Sequence, residues 1–92
     1  MVNKNSIVKQ SAEINSTDLD DEKVMMNIQQ GKYYALNSVA GSVWENMNEK
    51  ICVKDLIDVI ISEYDVEYNV CEDSVMNLLK ELDKNNLIEI FD

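Results

Sequence analysis

The stretch from Lys23 to Trp44, KVMMNIQQGKYYALNSVAGSVW, constrains the fold most, because it predicts a hairpin and a helix in immediate succession. Its first apolar residues recur at a period of two, which is typical of a half-buried strand: Val24, Met26 and Ile28. Gly31 can adopt the positive φ that a short hairpin loop needs. Lys32 to Leu36 then predicts a second strand, with two tyrosines of the kind that pack well on a pleated surface.

A helix is predicted directly after this hairpin. Asn37 or Ser38 can cap its start, because a short side-chain oxygen there accepts a backbone N–H that has no partner within the helix. The apolar residues that follow have helical spacing: Val39, Val43, Trp44 and Met47. The stretch carries no group suited to catalysis, so it favours a structural or binding role.

Two more helices and a closing strand are predicted further along the chain. Val53 to Tyr64 places its apolar residues on one broad face, as a packed helix does. Asn69 and Glu72 resemble a capping box, so a third helix is expected to start near Val70. The buried stripe of that helix is predicted to comprise Val75, Leu78, Leu79 and Leu82.

The third helix is expected to end at an asparagine pair, and a strand to follow it. Asn85 and Asn86 tolerate the left-handed conformation that commonly ends a helix. Leu87 to Phe91 alternates in the way expected of a short strand.

The residues before the hairpin give weaker signals. Ile7 to Gln10 predicts a short strand, Glu13 to Glu22 a solvated loop, and residues 1–5 are expected to be disordered. The acidic run from Asp18 to Glu22 lacks the glycine and the distal glutamate of a calcium loop, so no metal site is expected there.

These elements predict one α+β domain over residues 1–92, of a winged helix-turn-helix-like type. Its expected order is an N-terminal three-stranded antiparallel sheet, three helices and a short C-terminal strand.

Composition excludes several classes of function. The chain has no histidine and two cysteines, which cannot complete a zinc shell, and we expect no catalytic residues and no metal. A net charge of −10 opposes binding to nucleic acid. No apolar run is long enough for a membrane span, and the first ten residues lack the apolar core of a secretory signal. We therefore expect a cytoplasmic protein with reduced thiols.

Four segments in this order resemble the PqqD-like peptide-binding domains known as RiPP recognition elements, from pathways that make ribosomally synthesised, modified peptides. The segments are GKYYALN (Gly31 to Asn37), Val43-Trp44, VKDLIDVIISEYDV (Val53 to Val66) and SVMNLLKELDKNNLI (Ser74 to Ile88). The resemblance covers about Ile7 to Ile90. The family commonly has aspartate at the position of Ser74 and glycine at that of Asn86, which argues against a close match to PqqD itself.

The resemblance implies a non-catalytic adaptor without a cofactor. Such a protein binds the leader segment of a precursor peptide as an added strand beside Lys32–Leu36, facing the third helix, and delivers it to a modifying enzyme or leader peptidase. Lasso-peptide and radical-SAM pathways both remain open. The candidate peptide-binding residues are Lys32, Tyr33, Tyr34, Ala35, Leu36, Val75, Met76, Leu79 and Lys80. Helical spacing also suits Val75 and Leu79 to the core.

Two other functions compete with this interpretation. Asp73-Ser74-Val75 resembles the site where acyl or peptidyl carrier proteins bear phosphopantetheine on the serine, although carriers place that serine near mid-chain. A winged-helix DNA regulator has a similar element order, but the acidic surface of the third helix opposes DNA binding.

Overall fold

A computed structural model describes residues 2–12, 14–19, 22–27 and 30–91. The predicted placements of Ile28 on a strand and of Asp20 and Asp21 in the acidic loop lie outside these residues. In chain order the elements are β1 (Ile7–Gln10), β2 (Ile14–Leu19), β3 (Glu22–Asn27), β4 (Lys32–Leu36), α1 (Ser38–Glu45), β5 (Ile51–Cys52), α2 (Val53–Glu63), α3 (Tyr68–Lys84) and β6 (Ile88–Phe91).

The strands form two three-stranded antiparallel sheets, with the orders β2-β3-β4 and β5-β1-β6. The expected α+β fold is confirmed, with an N-terminal three-stranded sheet, three helices and a closing strand; the winged-helix description fits it loosely. One strand was assigned to the wrong sheet, however. Ile7–Gln10 pairs with β5 and with the closing strand β6, and does not join the hairpin.

The prediction of a loop from Glu13 to Glu22 is wrong, because Ile14–Leu19 forms β2. Four of its six residues are polar, so its sequence gives little strand signal. It is a strand because it pairs with β3 along its whole length, from Ile14 opposite Asn27 to Leu19 opposite Glu22. The pairing satisfies its backbone groups while Asn15, Ser16 and Thr17 remain exposed.

The strand β3 presents the opposite face to the core from the one predicted. Met25 has no exposed surface, whereas Met26 is 48% exposed. Because Met25 and Met26 are consecutive, either face of the strand can present a methionine to the core. In the structure the buried face is the one that carries Met25 together with Lys23 and Asn27. Lys23 is only 11% exposed and is compensated by carboxylates of Asp18 and Glu45, each 3.0 Å from its Nζ.

The chemistry of the turns and helix ends explains where several elements stop. Gly31 has φ of 67° in the β3–β4 loop, as predicted. Asn37 caps α1, since its Oδ1 accepts the N–H of Ala40 at 2.9 Å. Asn86 has φ of 60° just after α3, which confirms the predicted left-handed ending. The predicted capping box at Asn69 is wrong: α3 starts at Tyr68, and its N-cap residue, Glu67, makes no capping hydrogen bond through its side chain.

One core joins the three helices to both sheets. Its largest fully buried side chains include Trp44, Met47, Leu56, Ile57 and Leu79. The first residues, expected to be disordered, pack against it where they are described: Val2 is 4% exposed, and the carbonyl of Lys4 accepts the N–H of Lys54 at 3.1 Å. None of the described helices has the length and apolar character to cross a membrane.

Candidate functional site

The strand β4 lies at an edge of its sheet. Its inner neighbour is β3, and no other strand of the described residues pairs with its outer side. Backbone N–H and C=O groups on the outer side of such a strand are free to pair with an extended segment. No proline interrupts this edge, because the chain contains none.

The side chains of β4 divide between the two faces of the sheet. Leu36 is buried and Tyr34 is half-buried against the core, opposite Met25. Tyr33 is 72% exposed and Ala35 is also exposed, on the other face. Tyr33 and Tyr34 therefore point in opposite directions, as neighbours on a strand must.

An apolar groove opens between α1 and α3, next to the end of β4. Its larger part is an open cavity of about 390 Å³. The apolar lining of this part comprises Val39, Ala40, Val43, Val66, Val75 and Leu78. Asn37, the residue directly after β4, and Ser74 supply the polar lining.

A smaller cavity of about 70 Å³ continues this groove away from β4. The two cavities share four lining residues: Val39, Val66, Ser74 and Val75. The smaller one adds Ile60, Tyr64, Val70 and Cys71. We call the two cavities together the α1–α3 groove.

Exposed apolar surface is concentrated along the α1–α3 groove. Six large apolar side chains of the described residues are exposed, and three of them line it: Val39 (40%), Val66 (43%) and Val70 (56%). Adjacent exposed apolar side chains around a concave surface mark interaction sites far better than isolated ones do.

The end of α2 forms one wall of the smaller cavity and is tied to α1. The hydroxyl of Tyr64 lies 3.0 Å from that of Ser42 and donates to the carbonyl of Ser38 at 3.3 Å. On α3, burial raises the pKa of the Cys71 thiol, which also lines the smaller cavity, so that thiol stays protonated at neutral pH. Within the described part of the chain, no cluster of acidic or cysteine side chains could hold a metal ion.

The predicted site residues on α3 take different positions. Val75 is 3% exposed and lines both cavities, so it provides part of the groove floor. Met76 is half-buried against the core, and Lys80 is exposed. Leu79 has no exposed surface and belongs to the core. Ser74, the candidate carrier serine, lies six residues into α3 rather than at the start of a helix.

Sequence reasoning missed the contribution of α1 and of the α2–α3 connection to this groove. Val39 was predicted only as one of the apolar residues with helical spacing, and Val66 was given no part in the site. Their exposure depends on the distance between α1 and α3. The spacing of apolar residues along the chain does not give the distance between two helices. The available signal was that Val66 is an isolated apolar residue between two acidic ones.

An open sheet edge next to an apolar groove defines a domain able to accept an extended polypeptide. The sequence profile of the family described as "Coenzyme PQQ synthesis protein D (PqqD)" matches residues 22–88, which is more than half of the chain. The chain therefore belongs to the PqqD family, and the predicted resemblance to PqqD-like recognition elements is confirmed.

Two solved structures share the fold. One, described as "TbiB1 in Complex with the TbiA(beta) Leader Peptide", superposes with a TM-score of 0.79 at 30% identity, covering 88% of this chain and 94% of that one. The other is "Lasso peptide synthetase B1 complexed with the leader peptide", with a TM-score of 0.77 at 23% identity and coverage of 89% and 96%. Among curated proteins, none matches the chain significantly.

Proposed function

We propose that this chain is a non-catalytic, single-domain adaptor that binds the leader segment of a ribosomally made precursor peptide. It delivers that segment to a modifying enzyme or a leader peptidase in the cytoplasm. The observation that carries the proposal is the outer edge of β4 beside the α1–α3 groove, with which no strand of the described part of the chain pairs. The similarity to TbiB1, over nearly the full length of both chains, supports it, because that protein was solved with a leader peptide.

The leader segment binds as an added strand along β4, through main-chain hydrogen bonds. A net hydrogen bond contributes about 0.5–1.5 kcal/mol, so four of them contribute roughly 2–6 kcal/mol. Binding with a micromolar dissociation constant requires about 8 kcal/mol. Strand pairing alone therefore falls short, and apolar contacts must supply the difference.

The α1–α3 groove supplies those contacts. Burying one large apolar side chain contributes about 1.5–3 kcal/mol, so one or two such side chains of the leader close the gap. Their burial also covers Val39 and Val66, which are otherwise about two-fifths exposed. In this arrangement the backbone of β4 provides affinity with little sequence preference, and the groove selects the leader.

Chemistry on the peptide is left to the partner enzyme. The chain has no histidine to act as a general base near neutral pH. Its buried thiol, Cys71, is held protonated by the raised pKa and is a poor nucleophile.

Titration of a labelled leader peptide tests the proposal. The leader encoded by a precursor gene beside this protein's gene is labelled with a fluorophore and followed by anisotropy. Saturable binding is expected for this leader and not for a scrambled peptide of the same composition. Equal binding of both peptides would contradict a leader-specific adaptor.

Mass spectrometry distinguishes the carrier-protein alternative. After incubation with a phosphopantetheinyl transferase and coenzyme A, we expect the mass of the protein to remain unchanged. A phosphopantetheine adduct on Ser74 would favour a carrier protein instead.

A further inference from the structure

Tyr64 is hydrogen-bonded to two different walls of the α1–α3 groove. It follows α2 directly, and its carbonyl accepts the N–H of Val66, which lines both cavities, at 3.0 Å. Its hydroxyl donates to the carbonyl of Ser38 at 3.3 Å and lies 3.0 Å from the hydroxyl of Ser42, and both serines are on α1. Tyr64 therefore joins the α2–α3 connection to the helix that forms the facing part of the groove.

The two halves of α1 are held in different ways. The second half is fixed in the core, since Val43 and Trp44 are buried and the carbonyl of Trp44 accepts the side-chain N–H of Gln10 at 2.6 Å. The first turn carries the exposed side chain of Val39. Among the described residues, the hydrogen bonds of the Tyr64 hydroxyl are the ones that join the first half of α1 to another helix. They therefore contribute to the position of Val39 and to the width of the groove.

We propose that Tyr64 is a positioning residue for leader binding. Its hydroxyl holds the first turn of α1 at the distance from the α2–α3 connection that admits an apolar side chain of the leader. The leader then meets a groove that is already formed, so ordering of the groove does not subtract from the affinity. This inference rests on the proposed function and adds a hydroxyl that determines affinity without touching the peptide.

Loss of this hydroxyl should act on the free protein. Without it the first turn of α1 occupies several positions, and the leader binds to only some of them. The apparent dissociation constant rises as the fraction of binding-competent molecules falls. Association slows by the same factor, whereas dissociation stays unchanged because the bound side chain itself keeps the walls apart.

Stopped-flow anisotropy with the labelled leader tests this role in Tyr64→Phe and Ser42→Ala. Tyr64→Phe should bind about fivefold more weakly, as expected for the loss of one hydrogen bond, and the loss should lie in the association rate. Ser42→Ala should bind about threefold more weakly, because the bond from Tyr64 to Ser38 remains. Ser42 lines neither cavity, so its effect must act through α1. Adding Ser42→Ala to Tyr64→Phe should weaken binding no further, since both remove the same contact.

Two control variants separate the hydrogen bond from other effects of substitution. Tyr68→Phe makes the same chemical change at an exposed tyrosine that lines neither cavity and whose hydroxyl makes no hydrogen bond within the described part of the chain. We expect it to bind within about twofold of the wild type. Ser42→Thr keeps the hydroxyl and should restore the affinity that Ser42→Ala loses.

Stability is measured for every variant by thermal unfolding. Alanine favours a helix more than serine does, so weaker binding by Ser42→Ala cannot be attributed to a less stable helix. If Tyr64→Phe is too unstable to assay, Ser42→Ala decides the question alone.

The possible failures of the inference and of the proposed function are distinct. If the wild type binds the leader and both variants bind it equally well, the inference is wrong and the adaptor function stands. Faster dissociation of Tyr64→Phe at an unchanged association rate would show that the hydroxyl contacts the peptide, and would overturn the positioning role. A wild-type protein that does not bind the leader would overturn the proposed function and this inference with it.

Discussion

Replacing Val39 by aspartate should abolish most leader binding without harming the fold. Val39 lines both cavities of the α1–α3 groove, so a carboxylate there faces any apolar side chain that enters. It also lies in the first turn of α1, which contains no acidic residue. An acidic side chain is favourable at that position because it interacts with the positive end of the helix dipole.

The size of the effect follows from the exposure of Val39. Its side chain is 40% exposed in the free protein. Full burial of a valine contributes about 1.5–3 kcal/mol, so covering the remaining surface contributes about 1 kcal/mol. Partial desolvation of a carboxylate in the open groove costs about another 1 kcal/mol. Together these changes weaken binding by about 2 kcal/mol, or roughly thirtyfold.

Ser38→Asp is the matched control for this variant. It adds the same charge to the same helical turn, but Ser38 lines neither cavity of the groove. We expect its affinity for the labelled leader, measured by anisotropy, to stay within about twofold of the wild type. If Val39→Asp binds as tightly as Ser38→Asp while both remain folded, the groove does not hold the leader.

Three further predictions concern stability and reactivity. Asn37→Ala should lower the free energy of unfolding in urea by about 1 kcal/mol, because the N–H of Ala40 loses its cap; no change would refute the capping role. Hydrogen bonds to the carboxylates of Asp18 and Glu45 raise the pKa of Lys23 above its ordinary value of 10.5. The ion pairs of Lys23 therefore stabilise the fold fully below pH 10.5, and this stabilisation is lost as the pH rises through the raised pKa of the folded state. The stability advantage of the wild type over Lys23→Met should therefore shrink in alkali, and a constant advantage would contradict the ion-pair account. Ellman's reagent should modify Cys52 faster than Cys71, which is 4% exposed and has a raised pKa; equal rates would show that the wall of the smaller cavity opens readily.

Local backbone chemistry made much of the fold predictable. Gly31 and Asn86 have the positive φ expected of them, and Asn37 caps α1. The second strand of the hairpin has the predicted bounds, Lys32–Leu36. Each of these features depends on interactions within a few residues, and a sequence reports those directly.

Features set by distant contacts were not predictable in the same way. The strand β2 exists because β3 pairs with it, although its own residues are mostly polar. Which face of β3 is buried depends on whether Met25 or Met26 packs in the core, and these two residues are adjacent in the chain. Both outcomes depend on the assembled sheet, which overrides weak local preference.

The candidate site likewise has one part that the sequence predicts and one part that it does not. The edge strand β4 could be proposed from its own residues, because an alternating strand without proline is recognisable in the sequence. The groove could not, since it lies between α1 and α3 and uses Val39 from one and Val75 from the other. Leu79, which has the same helical spacing as Val75, is fully buried, and spacing alone could not separate the two.

Amide hydrogen exchange of β4, measured residue by residue by NMR with and without the leader peptide, tests the central claim most directly. Along an edge strand, successive N–H groups point alternately toward the neighbouring strand and away from it. The account predicts that the outward-pointing amides between Lys32 and Leu36 exchange quickly in the free protein and become protected when the leader pairs with them. A leader that binds tightly while every amide of β4 exchanges at an unchanged rate would contradict strand addition at this edge.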